Sequence, residues 1–383
     1  MTDHMPDDLS ATGRDLRAYT DELRPRHGVV RNVHGEWVLL HHELVVQAAR
    51  DSDRFSGAVS SHLHVPNGLD STEHATYRQA LDRFLGPEAL APFHDDFRRV
   101  AVDLVASLPR GVGIDAVSGL GTLFAVRAQS TWLNWPAALE ERLVAWVAEN
   151  HVATRSGDRA WVKRVAEDFD ALIRSVLEPR RSGASSGGAP DVTTELMRTE
   201  VDGRPLSDAE IVSVLRNWTG GDLGSIALCV GVLVHHLASQ PQLQDRLRAG
   251  VPDAELDAVL DEILRIDDPF VSNRRITMCP LTIGGVSLSA GARVKLNWTS
   301  ANRDEAVFGD PDALDPRANA DRNLVYGIGR HACPGRLLAT LEMRFVVREL
   351  LAATTSFDLD PQQPAERAVS PVGGWARVPV VLT

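Results

Sequence analysis

Cysteine is scarce in this chain, and what little there is does not cluster. The three residues, Cys229, Cys279 and Cys333, share no C-x-x-C spacing. A zinc site or iron–sulfur cluster built on several sulfurs is therefore excluded. Covalent haem attachment through C-x-x-C-H is excluded as well. Three cysteines without a pairing pattern suit a reducing cytoplasm, where the protein is expected to reside. Long hydrophobic runs are also lacking. The longest, Ile226–Leu237, is too short to span a bilayer and is interrupted by His235 and His236. No apolar segment follows Met1, so residues 1–15 read as a solvated tail with neither signal peptide nor membrane anchor. Positive charge is in deficit, with 40 basic against 52 acidic residues and a net charge of −12, which argues against nucleic acid as the main partner.

What is present is apolar residue in quantity, 44% of 383, enough for a sizeable core. No linker separates self-contained halves, so residues 16–383 read as one domain despite the length. The patterning is mostly helical. Residues 94–107, 123–133, 137–153 and 159–177 carry apolar positions at helical spacing. Strand signals are few: an alternating Val29–Leu40 around His34-Gly35, Leu281–Val286 with a Gly-Gly turn, Val294–Trp298, and a final hairpin formed by Ser370–Trp375 and Val378–Leu382. Segments 56–70 and 182–190, rich in Ser, Gly and Pro, read as loops.

The chemistry concentrates at Tyr326-Gly-Ile-Gly-Arg-His-Ala-Cys-Pro-Gly335, followed by Arg336-Leu-Leu-Ala-Thr-Leu-Glu342. Gly327 and Gly329 allow a sharp bend or a close approach to a flat partner. Pro334 suits the first turn of a helix running from about Gly335 to Leu351. Cys333 then lies at the positive end of that helix, where free N–H groups and the macrodipole favour thiolate over thiol. From the residues alone three readings stand: a single axial thiolate to haem iron, a catalytic couple with His331, or a buried structural cysteine.

A second concentration lies in a long helix that opens on the capping-box pattern Ser207-Asp-Ala-Glu210 and runs to about Ala238 before Pro241. It spans roughly 45 Å at 1.5 Å per residue. Gly220, Gly221 and Gly224 sit in its interior, each costing about 1 kcal/mol relative to alanine, so something must approach the backbone closely there. Asp222 beside them is expensive in an apolar helix without a task or a partner. His74 and Arg78, four apart at the start of another helix, share one face and can grip an anion together. Glu262 and Arg265, three apart, can pair on a third.

The segment Y-G-I-G-R-H-A-C-P-G-R-L-L-A-T-L-E resembles the haem-binding signature of the cytochrome P-450 family, F-G-x-G-x-H-x-C-x-G-x-x-L-A-x-x-E, with Tyr326 in place of Phe. The resemblance covers most of the chain. It implies a mainly α fold with small β-sheets and one domain that holds haem b. Cys333 is then the iron ligand and metal site, with Tyr326 and Gly327 in the cofactor loop. His331, His74, Arg78 and Arg275 become the propionate contacts. It further implies an oxygen-binding groove of the form A/G-G-x-D/E-T-T in the long helix. Gly220, Gly221 and Asp222 match that pattern, Leu223 stands for the alcohol, and Thr219 and Ser225 are the nearest hydroxyls. Glu262 and Arg265 become a structural pair. Their usual third partner, an arginine, aligns with Ala318, leaving Arg317 or Arg322 as substitutes.

The implied reaction is monooxygenation of a small apolar or amphipathic molecule bound against Trp218, Phe270, Val271, Ser272 and Trp375. Residues 150–161 belong to a mobile roof near the entrance, and the 56–70 segment is short for the cover it forms in the family. Electrons would come from a ferredoxin and its reductase. Arg330, Arg336, Arg344 and Arg348 would form the docking cluster. A monomer is expected. A hydrogen-peroxide-dependent peroxygenase and a non-catalytic haem protein that binds ligands share the same motifs.

Overall fold

The computed structural model describes residues 4–5, 14–60, 62–182 and 191–383. Its axis is the helix Asp208–Ala238. The capping box forms in both directions: the Ser207 hydroxyl accepts from the Glu210 N–H at 3.3 Å, and Glu210 Oε2 accepts from the Ser207 N–H at 2.7 Å. The Glu210 carboxylate is further held by Arg204 at 2.7 Å and by the Tyr77 hydroxyl. Beyond this cap the helix is apolar nearly all round, the pattern of an element buried on every side. By length and composition it could cross a membrane, but it is the core of the fold. It packs against helices Leu123–Leu133, Glu140–Ser156, Arg159–Arg181, Asp253–Ile266 and Arg336–Ala352.

To one side lies a six-stranded sheet in the order His4–Met5, Val29–Asn32, Trp37–Leu39, Arg293–Asn297, Ser272–Thr277, Phe55–Ser56. The 29–32 and 37–39 strands form the expected hairpin, and Gly284 and Gly285 turn the next one at φ of 54° and 77°. Two expectations about the ends of the chain need correction. The tail is not wholly solvated, because His4–Met5 adds a parallel strand and Met5 is 5% exposed. The C-terminus is not one hairpin either. Pro379–Leu382 pairs with Phe357–Leu359 and with Gly113–Asp115, whereas Trp375–Arg377 pairs with Glu366–Arg367. Each partner was too short to signal itself in sequence. The loop expected at 182–190 falls, apart from Ser182, outside the described residues.

The Glu262 and Arg265 pair is fully buried. Arg265 meets both carboxylate oxygens at 2.9 Å and donates to the carbonyls of Asn302, Pro311 and Ala313. Its third partner is not an arginine. Asn319 Nδ2 donates to Glu262 Oε1 at 2.7 Å, and the Asp315 N–H reaches the same oxygen at 3.2 Å. Arg322 turns instead to the carbonyls of Val307 and Ala318. An uncharged amide suffices because Arg265 already neutralises the carboxylate.

Candidate functional site

The loop before Cys333 owes its shape to two glycines. Gly327 and Gly329 have φ of 66° and 81°, and a β-carbon at Gly329 would stand 2.5 Å from the Ala49 carbonyl oxygen. The loop closes where the Cys333 N–H donates to the Tyr326 carbonyl at 2.8 Å. Cys333 is accessible and at the same time deep, for it counts as exposed while burial pushes its thiol pKa up. That combination describes the wall of an internal cleft. The Gly335 N–H and the charges of Arg78 and Arg336 pull the other way without prevailing. Burial thus outweighs the helix terminus at this thiol, a setting in which a bound cation would favour the anion.

Beside the loop stands a cluster of bases with few counterions: Arg78 pairs with Asp82 at 2.8 Å and donates to the Ala332 carbonyl, and the rest are less well matched. The rings of His74 and His331 meet edge to face at 4.4 Å. His74 is 1% exposed, yet neither ring nitrogen has a partner, and His331 Nε2 has none either. Burial first, then Arg78 and Arg330 beside His74 and Arg275 beside His331, pull both rings down to about 4. Arg275 is buried and its hydrogen bond goes to the Arg274 carbonyl. Asp70 is the nearby acid, already engaged by Ser56 and the Gly57 N–H, and 3.9 Å from His331. Buried donors and cations left without anions fit the two carboxylates of a haem. Together with the accessible Cys333 they form a donor set that fits haem b.

At 3.6 residues per turn, the central helix shows three distinct sides around Gly221. Gly221 is exposed, with nothing within 4 Å of a β-carbon there, and Ser225, one turn on, is half-buried with its hydroxyl bonded to no described residue. These two make the open face. On one flank Asp222 reaches Gln129 of the 123–133 helix and Glu342 of the 336–352 helix. On the other flank Gly220 faces Trp146 and Phe169, and Gly224 faces His151.

This arrangement bears on the motif register read from sequence. Leu223, 1% exposed, points into the core, whereas Ser225 lies on the open face beside Gly221, the side an alcohol of the motif would need. Gly224 then stands where the acid is written and Asp222 where the second small residue is. Thr219 is buried, and its hydroxyl donates to the Leu215 carbonyl at 2.5 Å.

Asp222 and Glu342 form a buried acid pair. Burial raises Asp222 to about 7 against the pull of the Gln129 amide, and burial with the Asp222 charge pushes Glu342 well above its usual range. Neither Glu342 oxygen, nor Gln129 Oε1, has an aligned hydrogen-bond partner. The pair holds protons at neutral pH that an unfolded chain would release. Between pH 4 and 7 the folded state thus binds more protons than the unfolded one, and stability contributed by Asp222 is lost as pH rises through about 7. Glu342→Gln removes the like-charge partner, so its thermal midpoint is expected to fall less than that of the parent between pH 4 and 7. Melting curves across that range check it, and an unchanged slope would remove the pair from the pH response.

The substrate wall expected from sequence is only partly assembled. Phe270 is half-buried and bridges to Val372, and Val271 and Ser272 follow it into the sheet. Trp218 instead lies in the core, its ring 5.5 Å from Phe84 and 5.2 Å from Trp132. Trp375 stacks on His235 at 3.8 Å with Arg367 over its other face at 3.7 Å. His235 is seventeen residues beyond Trp218, about 25 Å along the helix. The supposed docking cluster is also largely neutralised from within. Arg336 pairs with Asp261, Arg344 with Asp253 and Asp257, and Arg348 with Asp253. Arg330 is exposed and donates to the Ser71 carbonyl. Arg83 and Arg98 are exposed and bond to no described carboxylate.

A haem-thiolate oxidoreductase is the class this fold and donor set define. The sequence profile described as Cytochrome P450 matches residues 154–371, more than half of the chain. The chain belongs to the cytochrome P450 family; it is a monooxygenase whose cofactor is haem b. It is 28% identical to the cyclomarin C epoxidase of Salinispora arenicola over 349 residues, 86% of this chain and 87% of that one. It is 26% identical to the linalool 8-monooxygenase of Pseudomonas putida over 349 residues, 85% of this chain and 84% of the other. The fold superposes on a mutant of P450 EryK in complex with erythromycin B, TM-score 0.87 at 24% identity, covering 99% and 98% of the two chains. A cytochrome P450 from Chondromyces apiculatus gives TM-score 0.87 at 23% identity, covering 100% and 99%.

Proposed function

We propose that this monooxygenase draws electrons from an acidic ferredoxin to oxidise a small apolar or amphipathic molecule, with Cys333 as the iron ligand. The single observation that carries the reading is the group of His74, His331 and Arg275, with ring nitrogens buried and unpartnered, next to the accessible Cys333. His74, Arg78, Arg275 and His331 would take the haem carboxylates, with Tyr326 and Gly327 bordering the ligand loop. Bound haem supplies oxygen activation, and a thiolate ligand favours O–O cleavage. The chain's own work is to bind, to exclude water and to move protons. Phe270, Val271 and Ser272 line the substrate side, with Val372 beside Phe270. Relatives named for a cyclomarin, for linalool and for erythromycin support a substrate of this kind. The protein acts as a monomer, and the free thiols Cys229, Cys279 and Cys333 fit the cytoplasm.

Asp222, near pH 7 in its titration and one flank away from Ser225, is the proposed proton source for the open face. Asp222→Asn is expected to lower turnover supported by oxygen and reductase by about 100-fold, within the span of general acid catalysis. Turnover supported by hydrogen peroxide, which arrives protonated, should change far less. Equal loss of both, with haem content intact, would assign Asp222 to helix structure.

The ferredoxin reading is tested at the exposed cations. Charge reversal at Arg330, exposed on the Cys333 loop and paired with no described carboxylate, and at the exposed Arg336 beside it should slow reduction by ferredoxin several-fold at low salt and flatten its salt dependence, leaving substrate affinity unchanged. Reduction indifferent to both changes would place the donor elsewhere. Peroxide-driven turnover that ignores reductase altogether would favour a peroxygenase.

A further inference from the structure

The glycine flank of the central helix carries an unusual contact. A β-carbon built on Gly224 would stand 2.9 Å from Nε2 of His151, with Cε1 and Cδ2 of the same ring at 3.7 and 3.8 Å. The ring thus points nitrogen-first at the backbone of the residue just before Ser225. A side chain at position 224 would require the ring to swing aside. His151 lies on the helix Glu140–Ser156, in the segment that covers this side of the central helix. It is half-buried, and neither ring nitrogen hydrogen-bonds to a described residue. Its charged neighbour is Arg155, one turn along the same helix; burial first and that cation second lower the pKa, leaving the ring neutral at pH 7. A neutral imidazole offers one donor and one acceptor together, so it can release a proton from one nitrogen while taking one at the other.

Gly224 occupies the place where the groove motif carries an acid, and it has no side chain with which to supply one. The space its side chain would take is filled by His151. We propose that His151 is the proton-relay partner of Ser225, delivered to the groove by the overlying helix and not by the central helix itself. The two groups share no direct hydrogen bond, so a bridging water carries the proton: His151 passes one to that water, the water passes one to the Ser225 hydroxyl, Ser225 passes its own toward the open face at Gly221, and solvent returns one to the second ring nitrogen. Asp222 serves the same face from the opposite flank. The relay requires the 140–156 helix to lie against Gly224, as it does in this structure. The inference rests on the reading of Cys333 as haem ligand.

The test uses the haem-loaded enzyme and three variants. His151→Phe keeps the ring without its nitrogens, His151→Gln restores a donor and an acceptor, and Gly224→Ala pushes an unaltered His151 away. All three should keep the thiolate-type spectrum of the reduced carbon monoxide complex; its absence from the parent would sink the Cys333 reading and not this one. In His151→Phe and Gly224→Ala the infrared C–O stretch of that complex should shift, since a hydrogen-bonding group has left the groove. Product formed per reducing equivalent should fall about tenfold or more, with peroxide released instead. His151→Gln should recover part of both. An unmoved C–O stretch with unchanged coupling in both His151→Phe and Gly224→Ala would overturn the proposal. So would a change confined to substrate affinity, which would make His151 a wall of the pocket.

Discussion

Cys333→Ser is expected to give a folded chain that has lost the thiolate-type carbon monoxide spectrum and its monooxygenase turnover. The fold should survive because the loop does not depend on sulfur: its turns come from Gly327 and Gly329 and its closing bond from the Cys333 backbone N–H to Tyr326. The chemistry should not survive. Burial already holds the thiol up against the Gly335 N–H and two arginines, so a bound metal would be what favours the anion there. A serine hydroxyl, intrinsically far less acidic, would remain neutral or leave the iron to water. Outer-shell changes around a metal ligand cost 10 to 100-fold by themselves, so loss of the ligand should exceed about 100-fold in turnover. The reduced carbon monoxide spectrum and circular dichroism, read on one preparation, separate loss of ligand from loss of fold. A thiolate-type spectrum that persists would move the ligand elsewhere. Cys229 is a poor substitute, for it is 4% exposed within the core of the central helix.

Much of the fold was legible because its signals are local. The Ser207 and Glu210 box, the Gly284-Gly285 turn and the apolar spacing of residues 94–107 and 123–133 each specify an element from within a few residues. The haem loop was legible for the same reason. What sequence could not supply was direction and distance. Asp222 and Ser225 are three residues apart, so a motif written in letters can be laid over either; only the helix phase shows Ser225 beside Gly221 and Asp222 turned toward Gln129 and Glu342. Gln129 could have been noticed as the lone amide in an apolar helix, and Glu342 as the last letter of the haem signature.

The electrostatic expectation failed on range. Arg344 and Arg348 look unpaired in sequence because Asp253 and Asp257 stand some ninety residues earlier. The resemblance puts Trp218 and Trp375 on the substrate wall, but large aromatic rings are as readily core, and Phe84 with Trp132 encloses one while His235 and Arg367 enclose the other. Asn319 was missed because a search for a charged third partner passes over an amide.

Removal of Arg265 should be the most destabilising single change outside the haem site. Its side chain is wholly buried, and Arg265→Leu would leave Glu262, 2% exposed, as an uncompensated charge supported by the Asn319 amide and the Asp315 N–H. Breaking a buried pair in this way costs about 3–5 kcal/mol. Replacing both members by leucine should not restore the parent, because the carbonyls of Asn302, Pro311 and Ala313 would still lose their donor. The damage should also travel. Asn302 Oδ1 accepts from the Leu324 N–H at 2.8 Å, two residues before the Tyr326 turn, so loosening Asn302 loosens the entry to the haem loop. The expected outcome is a denaturant midpoint lowered by that amount and haem content reduced in proportion, with Glu262→Gln intermediate because it keeps an acceptor for Arg265 and Asn319. Urea unfolding followed by circular dichroism, with haem absorbance measured on the same samples, checks both. An Arg265→Leu protein that stays within about 1 kcal/mol of the parent and keeps its haem would show that the buried pair does not hold the loop.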